Sequence, residues 1–276
     1  MIVLFVFLAI LGLGGLYLWM LKPNHPRLEK MKPFEKVYIA HRGLFDPDKG
    51  IPENSLAAFR RAVENGYGIE LDIQMTKDGK LVVFHDKTLK RMCGEKKILT
   101  QLTYQQLQEY RLAGSEERIP LFEDALKLIG GKVPLIVEVK AEGKCFKATR
   151  MMCRMMENYP GIFCMESFHP LCVRWVRKHY PKILRGQLSM NYFIEEKNRP
   201  FYQKLVMTSL LFNVFARPDF ISYHHAQKNQ FSYRLCRKLF KVENAAWTIK
   251  SQEQLDQARD TFQVMIFDGF IPKRDS

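Results

Sequence analysis

Several signatures that would place a chain of 276 residues are missing from this one. Its cysteines, Cys93, Cys145, Cys153, Cys164, Cys172 and Cys236, form no CxxC, and none stands at zinc-finger spacing from a histidine. They read as buried thiols in a reducing compartment. No RNA-binding signature or long basic run is present, so the net charge of +14, from 43 Lys+Arg against 29 Asp+Glu, is not read as a nucleic-acid footprint. It suits an anionic membrane face or a phosphorylated substrate. No low-complexity segment or repeat occurs, and no glycine-rich phosphate loop follows the first strand-like segment, which counts against a doubly wound nucleotide fold. No obligate protein partner is evident.

The N-terminus, by contrast, has an unbroken apolar run. Residues 2–21, IVLFVFLAILGLGGLYLWML, carry no charge, and a helix of about 20 residues spans about 30 Å, the thickness of a bilayer core. Tyr17 and Trp19 lie near one end, where an interfacial aromatic belt belongs. No Lys or Arg precedes the run and no A-x-A follows it, so it reads as an uncleaved transmembrane anchor (1–21) rather than a signal peptide. Lys22, Arg27, Lys30, Lys32 and Lys36 follow, which predicts a single-pass protein with its C-terminal side in the cytoplasm. Residues 22–34 read as a juxtamembrane linker, and 35–276 as the soluble domain.

With 47% hydrophobic residues the chain can bury a sizeable core. From residue 35 it alternates strand-like segments (37–41, 69–74, 81–85, 134–140, 162–167, 183–188, 219–224, 244–249 and 263–268) with helix-like ones. Asn54 reads as the N-cap of SLAAFRRAVENG with Gly66 beyond its end, and Thr103 with Gln106 as a capping box opening TYQQLQEYRL. This order and size predict an α/β fold, a (β/α)8 TIM barrel. The strand count is one too many. The surplus lies at 69–86, where IELDIQMTKDGKLVVFHD is too short for a helical crossover and reads as a β-hairpin insertion. Centring the turn on Asp78 pairs Asp72 with Phe84 and sets His85 beside Leu71, near Glu70 and Asp72.

In a barrel the C-terminal strand ends face one cavity. His41 and Arg42, Glu70 and Asp72, His85, Glu138 and Lys140, and Trp247 all stand at such ends. Three carboxylates with two histidines point to one hard divalent cation held by oxygens, with the imidazoles free to move protons. Arg42 and Lys140 offer phosphate oxygens a cationic clamp.

These segments resemble glycerophosphodiester phosphodiesterases. The likeness is carried by HRG (41–43), PENS (52–55), ELDIQMTKDGKLVVFHD (70–86), EVK (138–140), SF (167–168) and WTI (247–249), and spans nearly the whole soluble part. FDGFIP, near the C-terminus, departs from the family's usual longer ending. The resemblance implies His41 and His85 as the general acid and base, and Glu70, Asp72 and Glu138 as ligands of Mg2+ or Ca2+. It implies Arg42 and Lys140 as phosphate binders, Glu53 and Asn54 at the edge of the site, and Trp247 on the substrate pocket. The expected activity is hydrolysis of glycerophosphodiesters or lysophospholipids to an alcohol and glycerol 3-phosphate or lysophosphatidate, next to membrane lipid. The competing readings are a phospholipase C- or D-like enzyme on intact lipids, and an inactive module binding lipid headgroups.

Overall fold

The computed structural model of the protein describes residues 1–24 and 28–273. All nine expected strands form: β1 (Ile39–His41), β2 (Gly68–Met75), β3 (Leu81–Val83), β4 (Leu135–Val139), β5 (Phe163–Ser167), β6 (Leu184–Ser189), β7 (Phe220–His224), β8 (Glu243–Ile249) and β9 (Val264–Phe267). Eight of them run parallel in the order β1, β2, β4 through β9, and β9 pairs with β1 to close a (β/α)8 barrel. The surplus strand is β3, antiparallel to β2.

The hairpin has the expected register. Ile73 pairs with Val83, and the Phe84 amide donates to the Asp72 carbonyl at 2.9 Å. The turn is made by Gly79 at φ 83°, a conformation that needs no Cβ, with the Thr76 hydroxyl donating to Asp78 at 2.6 Å. All eight residues of β2 are buried. Ile69, Leu71 and Ile73 pack outward with Phe59 and Ala62 of the helix Leu56–Glu64, so the alternate residues Glu70, Asp72 and Gln74 face the barrel interior.

The interior at the N-terminal end is apolar. Ile39, Ile136, Cys164, Leu184, Phe220 and Ala245 form one cluster with Met31 and Phe34. Gly186 has no side chain because the Phe220 ring fills that space: a Cβ there would lie 2.3 Å from it. Met31 and Phe34 belong to a helix, Leu28–Glu35, that closes this end. The stretch read as a linker is therefore partly built into the domain. Arg27, one of the flanking cations, lies outside the described residues.

Other boundaries differ from expectation. Ser55, not Asn54, caps Leu56–Glu64, accepting from the Ala58 amide at 3.1 Å. The Thr103–Gln106 capping box forms, but on a single turn, Tyr104–Leu107. Gly66 takes φ 65° just past its helix, as expected. Between β6 and β7 the chain adds helices Tyr192–Glu195, Phe201–Thr208 and Asn213–Ala216, whose mixed composition gives no clear periodicity.

Candidate active site

The C-terminal strand ends do converge. Glu70, Asp72 and Glu138 are buried, and one oxygen of each lies within 4.8 Å of the others. The register explains this: His41 lies beside Glu70 on β1 and β2, and Asp72 beside Glu138 on β2 and β4. The parallel ladder thus carries adjacent acids to one depth in the barrel mouth.

Two cations face them. Lys140 sits 2.8 Å from Glu138 Oε1 and 3.4 Å from Asp72 Oδ1. Arg42 Nε lies 3.4 Å from Asp72 Oδ2, and its backbone amide donates to Glu70 Oε2 at 3.1 Å. Arg42 adopts φ 60°, and its carbonyl accepts from the Asn54 amide at 2.9 Å. Asn54, expected at the edge of the site, is buried against the cluster, donating from Nδ2 to Asp72 Oδ2 at 2.9 Å. Glu53 is likewise engaged internally, accepting Arg42 at 2.7 Å and both terminal nitrogens of Arg91 at 2.7 Å.

Each histidine has its own carboxylate. His41 Nδ1 is 2.9 Å from Asp268 Oδ2, and its Nε2 is 3.9 Å from Glu70 Oε2. His85 Nδ1 is 2.6 Å from Asp86 Oδ1. A carboxylate on Nδ1 holds the proton there and leaves Nε2 for chemistry. The loop bearing His85 is fixed by Gln74, whose amide donates to the carbonyls of Phe84 at 2.9 Å, His85 at 3.2 Å and Asp86 at 2.9 Å. Arg91 bridges Glu53 and Asp86, so the chain Arg42–Glu53–Arg91–Asp86–His85 links the two halves of the site.

The electrostatics favour a bound cation. Burial, then the neighbouring charges of Asp72, Glu138 and Glu166, push Glu70 well above the usual carboxylate range. Burial also raises Glu138, although Lys140 opposes it. Asp72 is driven the other way: burial works against its charge, but Lys140, His85 and Arg42 together outweigh that and hold it ionised. Its Oδ1 is buried with no hydrogen-bond partner. Three buried carboxylates with converging oxygens, one of which, Asp72 Oδ1, makes no hydrogen bond and lies 3.4 Å from the Lys140 ammonium, fit a hard divalent ion. Burial lowers His41 below its usual value, against the hydrogen bond it donates to Asp268, which supports its charged form.

Trp247, at the end of β8, packs edge-on against Phe168 at 5.5 Å and His224 at 5.3 Å. A cavity of about 440 Å³ adjoins this wall, lined by Ala141, Phe168, His169, Tyr192 and residues of Phe201–Thr208. Another of about 610 Å³ lies at the opposite barrel end, around Lys30, Pro33 and Ile183, away from the acids.

Sequence reasoning missed Asp268, Arg91, Gln74 and Glu166. Asp268 follows Phe267 at the end of β9 and so meets the strand-end rule that found the others. Glu166 lies on β5 opposite Glu138 and is fully buried, with its pKa raised by burial to about 8. Arg91 carries no local signal, because its partners come from two distant segments.

Comparison with known proteins puts the chain in one class, the phosphoric diester hydrolases. The sequence profile of the Glycerophosphoryl diester phosphodiesterase family matches residues 41–203, more than half of the chain. A glycerophosphodiester phosphodiesterase of Caldanaerobacter subterraneus subsp. tengcongensis is 33% identical over 197 residues, covering 65% of this chain and 75% of that protein. Human glycerophosphodiester phosphodiesterase 1 is 32% identical over 152 residues, 51% of this chain but only 44% of the human protein. The structure of an Oleispira antarctica phosphodiesterase in complex with the product sn-glycerol-3-phosphate has the same fold, with a TM-score of 0.66 at 20% identity over 84% of this chain and 92% of that one. The chain belongs to the glycerophosphoryl diester phosphodiesterase family.

Proposed function

We propose that this protein hydrolyses glycerophosphodiesters or lysophospholipids to an alcohol and glycerol 3-phosphate or lysophosphatidate. The observation that carries the reading is that one barrel mouth joins the acids Glu70, Asp72 and Glu138 to two His–Asp pairs, His41–Asp268 and His85–Asp86. Glu70, Asp72 and Glu138 would hold one Mg2+ or Ca2+, which when bound polarises the phosphate and offsets charge that grows in the transition state. Arg42 and Lys140 line the same acids and add fixed positive charge toward phosphate oxygens. One imidazole takes a proton at Nε2 from the attacking water, or from the glycerol 2-hydroxyl to give a cyclic phosphate that water then opens, and the other returns one to the departing alcohol. Asp268 and Asp86 keep both rings oriented for this. Glu53, Arg91, Asn54 and Gln74 act as positioning residues, because their polar groups reach the substrate-facing side chains or their loop rather than open space.

In the same reading residues 2–21 are a single transmembrane anchor and the barrel lies in the cytoplasm. This is supported by a 20-residue helix of mean hydropathy 2.5 whose residues 2–16 are all exposed, and by Lys22, Lys30, Lys32 and Lys36 after it. The test is turnover of glycerophosphocholine and lysophosphatidylcholine by the full chain in mild detergent, with and without divalent cation. Release of choline from either substrate, only with cation present, is the expected result. No release from either, with any divalent cation, overturns the reading.

A further inference from the structure

The N-terminal helix is not a loose tether. Its last turns lie along the barrel helix Phe231–Phe240, and the contacts fix its direction. The Tyr17 hydroxyl is 2.7 Å from Ser232 Oγ, and the Tyr17 ring stacks on Phe231 at 6.5 Å. One turn further along both helices, the Leu21 carbonyl accepts from Cys236 Sγ at 3.7 Å and from Asn213 Nδ2 at 3.0 Å, and Leu21 is fully buried. Beyond the helix, the Asn24 amide donates to the Pro218 carbonyl at 2.9 Å, where the chain enters β7. The two helices therefore run in the same sense. Phe231–Phe240 follows β7, so it starts at the C-terminal strand ends and descends toward the N-terminal ends, as every barrel helix must. Residues 2–16 consequently project from the catalytic face, by roughly 20 Å at the helical rise per residue.

The surface around that face carries several exposed apolar side chains. Phe193 is 39% exposed, Ile194 57%, Phe201 70%, Leu205 45% and Phe231 66%. All stand on segments that follow the C-terminal ends of β6 and β7. Lys204 lies over the Phe193 ring at 5.9 Å, the arrangement of a side chain with an apolar stem and a charged head at a lipid boundary. The cavity of about 440 Å³ opens among the same segments, between Leu171, Tyr202, Val206 and Met207. It shares Phe168 with the wall that carries Trp247, and its lining residue Ala141 directly follows Lys140.

We propose that the barrel rests with its catalytic mouth against the bilayer that its own N-terminal helix enters, and that this cavity takes the hydrocarbon chain of a single-chain lipid phosphodiester drawn from that bilayer. The inference deepens the phosphodiesterase reading and rests on it: the phosphate lies at the acidic cluster and the chain extends past Phe168 toward the helix Phe201–Thr208. Soluble headgroup diesters would bind the same acids without filling the cavity.

Two measurements test it. The first uses glycerophosphocholine and monomeric short-chain lysophosphatidylcholines of increasing length, with the full chain in mild detergent. kcat/KM is expected to rise by up to about fourfold per methylene until the cavity is full. Val206→Trp, which fills the cavity from a position away from the catalytic groups, should remove that rise and leave glycerophosphocholine turnover unchanged. A flat chain-length series with normal glycerophosphocholine turnover overturns the inference and leaves the phosphodiesterase reading standing. The second measurement does not depend on turnover. The protein is reconstituted in vesicles carrying nitroxide-labelled lipids, with a fluorophore on Tyr202→Cys or on Glu157→Cys at the opposite barrel end. Strong quenching at 202 and little at 157 is expected; equal quenching, or the reverse, overturns the orientation. Were the wild-type protein inert on every diester, the phosphodiesterase reading and the chain-binding role would fall together, while the quenching would still decide how the barrel faces the bilayer.

Discussion

Asn54 clasps Asp72 from both sides: its Nδ2 donates to the carboxylate at 2.9 Å, and its Oδ1 accepts from the Asp72 backbone amide at 3.4 Å. It does so from a backbone at φ 54°, the left-handed region that asparagine tolerates better than most residues. Asn54→Gly keeps this backbone at no steric penalty and deletes only the clasp, whereas Asn54→Ala adds strain of roughly 1 kcal/mol. The glycine variant should fold with a near-normal melting temperature yet need on the order of tenfold more divalent cation for half-maximal activity, the scale of a lost outer partner to a metal ligand. A cation titration followed by activity and by thermal shift checks this. An unchanged midpoint in both would leave Asn54 with a merely structural role.

Glu70 separates stability from function. Burial and the nearby acids oppose its ionisation, so Glu70→Gln should be no less stable than wild type in EDTA. Divalent cation should raise the melting temperature of wild type and leave that of Glu70→Gln unmoved, with metal-dependent turnover lost. A cation response that survives in Glu70→Gln would remove Glu70 from the ligand set.

Each histidine is paired with its own carboxylate, His41 with Asp268 and His85 with Asp86. His41→Ala and His85→Ala should each lower kcat by at least about 10²-fold, and the double variant should be little worse than either, since groups acting as one unit are not additive. A nitrophenyl ester, whose leaving group departs unprotonated, should rescue the variant lacking the acid only. Burial lowers His41 while Asp268 supports its protonated form. Asp268→Asn should therefore shift the His41 limb of the pH–rate profile further to lower pH. A profile unchanged in Asp268→Asn would mean that the pair does not act in turnover.

Glu166 should leave a mark on stability. Its ordinary value of 4.5 is raised to about 8 by burial. Between those values the unfolded chain releases the proton and the folded chain keeps it, so stability falls as pH rises through that window. Thermal unfolding in EDTA at several pH values across it should show wild type losing stability more steeply than Glu166→Gln. Equal slopes would mean that Glu166 is charged in the folded protein.

The barrel was readable because its rules are local. Strand and helix periods alternate, and the interval from Asp72 to Phe84 is too short for anything but a hairpin, which has the expected register. The meeting of most of the candidate residues was readable for a related reason: closure brings strand ends together wherever they lie in sequence, so His41, Glu70, Asp72, Glu138 and Lys140 converge. What stayed hidden depends on side-chain direction. Asn54 and Glu53 stand in a segment that looks like a helix cap, and only the turn at φ 54° aims Asn54 at Asp72 and frees Ser55 to cap. Arg91 sits on one short turn, Lys90–Cys93, and its role follows from two partners that the sequence does not place near it. The segment between β6 and β7 was also hidden, because its apolar residues are shared between a cavity and an exposed rim and show no single period.

Phosphorus NMR of glycerophosphocholine incubated with the purified full chain tests the central claim most directly. With Mg2+ or Ca2+ present the diester resonance should be replaced by that of glycerol 3-phosphate. Conversion should stop on adding EDTA, resume with excess cation, and be absent in Asp72→Asn. Conversion that continues undiminished in EDTA, or in Asp72→Asn, would contradict a metal-assisted reaction at Glu70, Asp72 and Glu138.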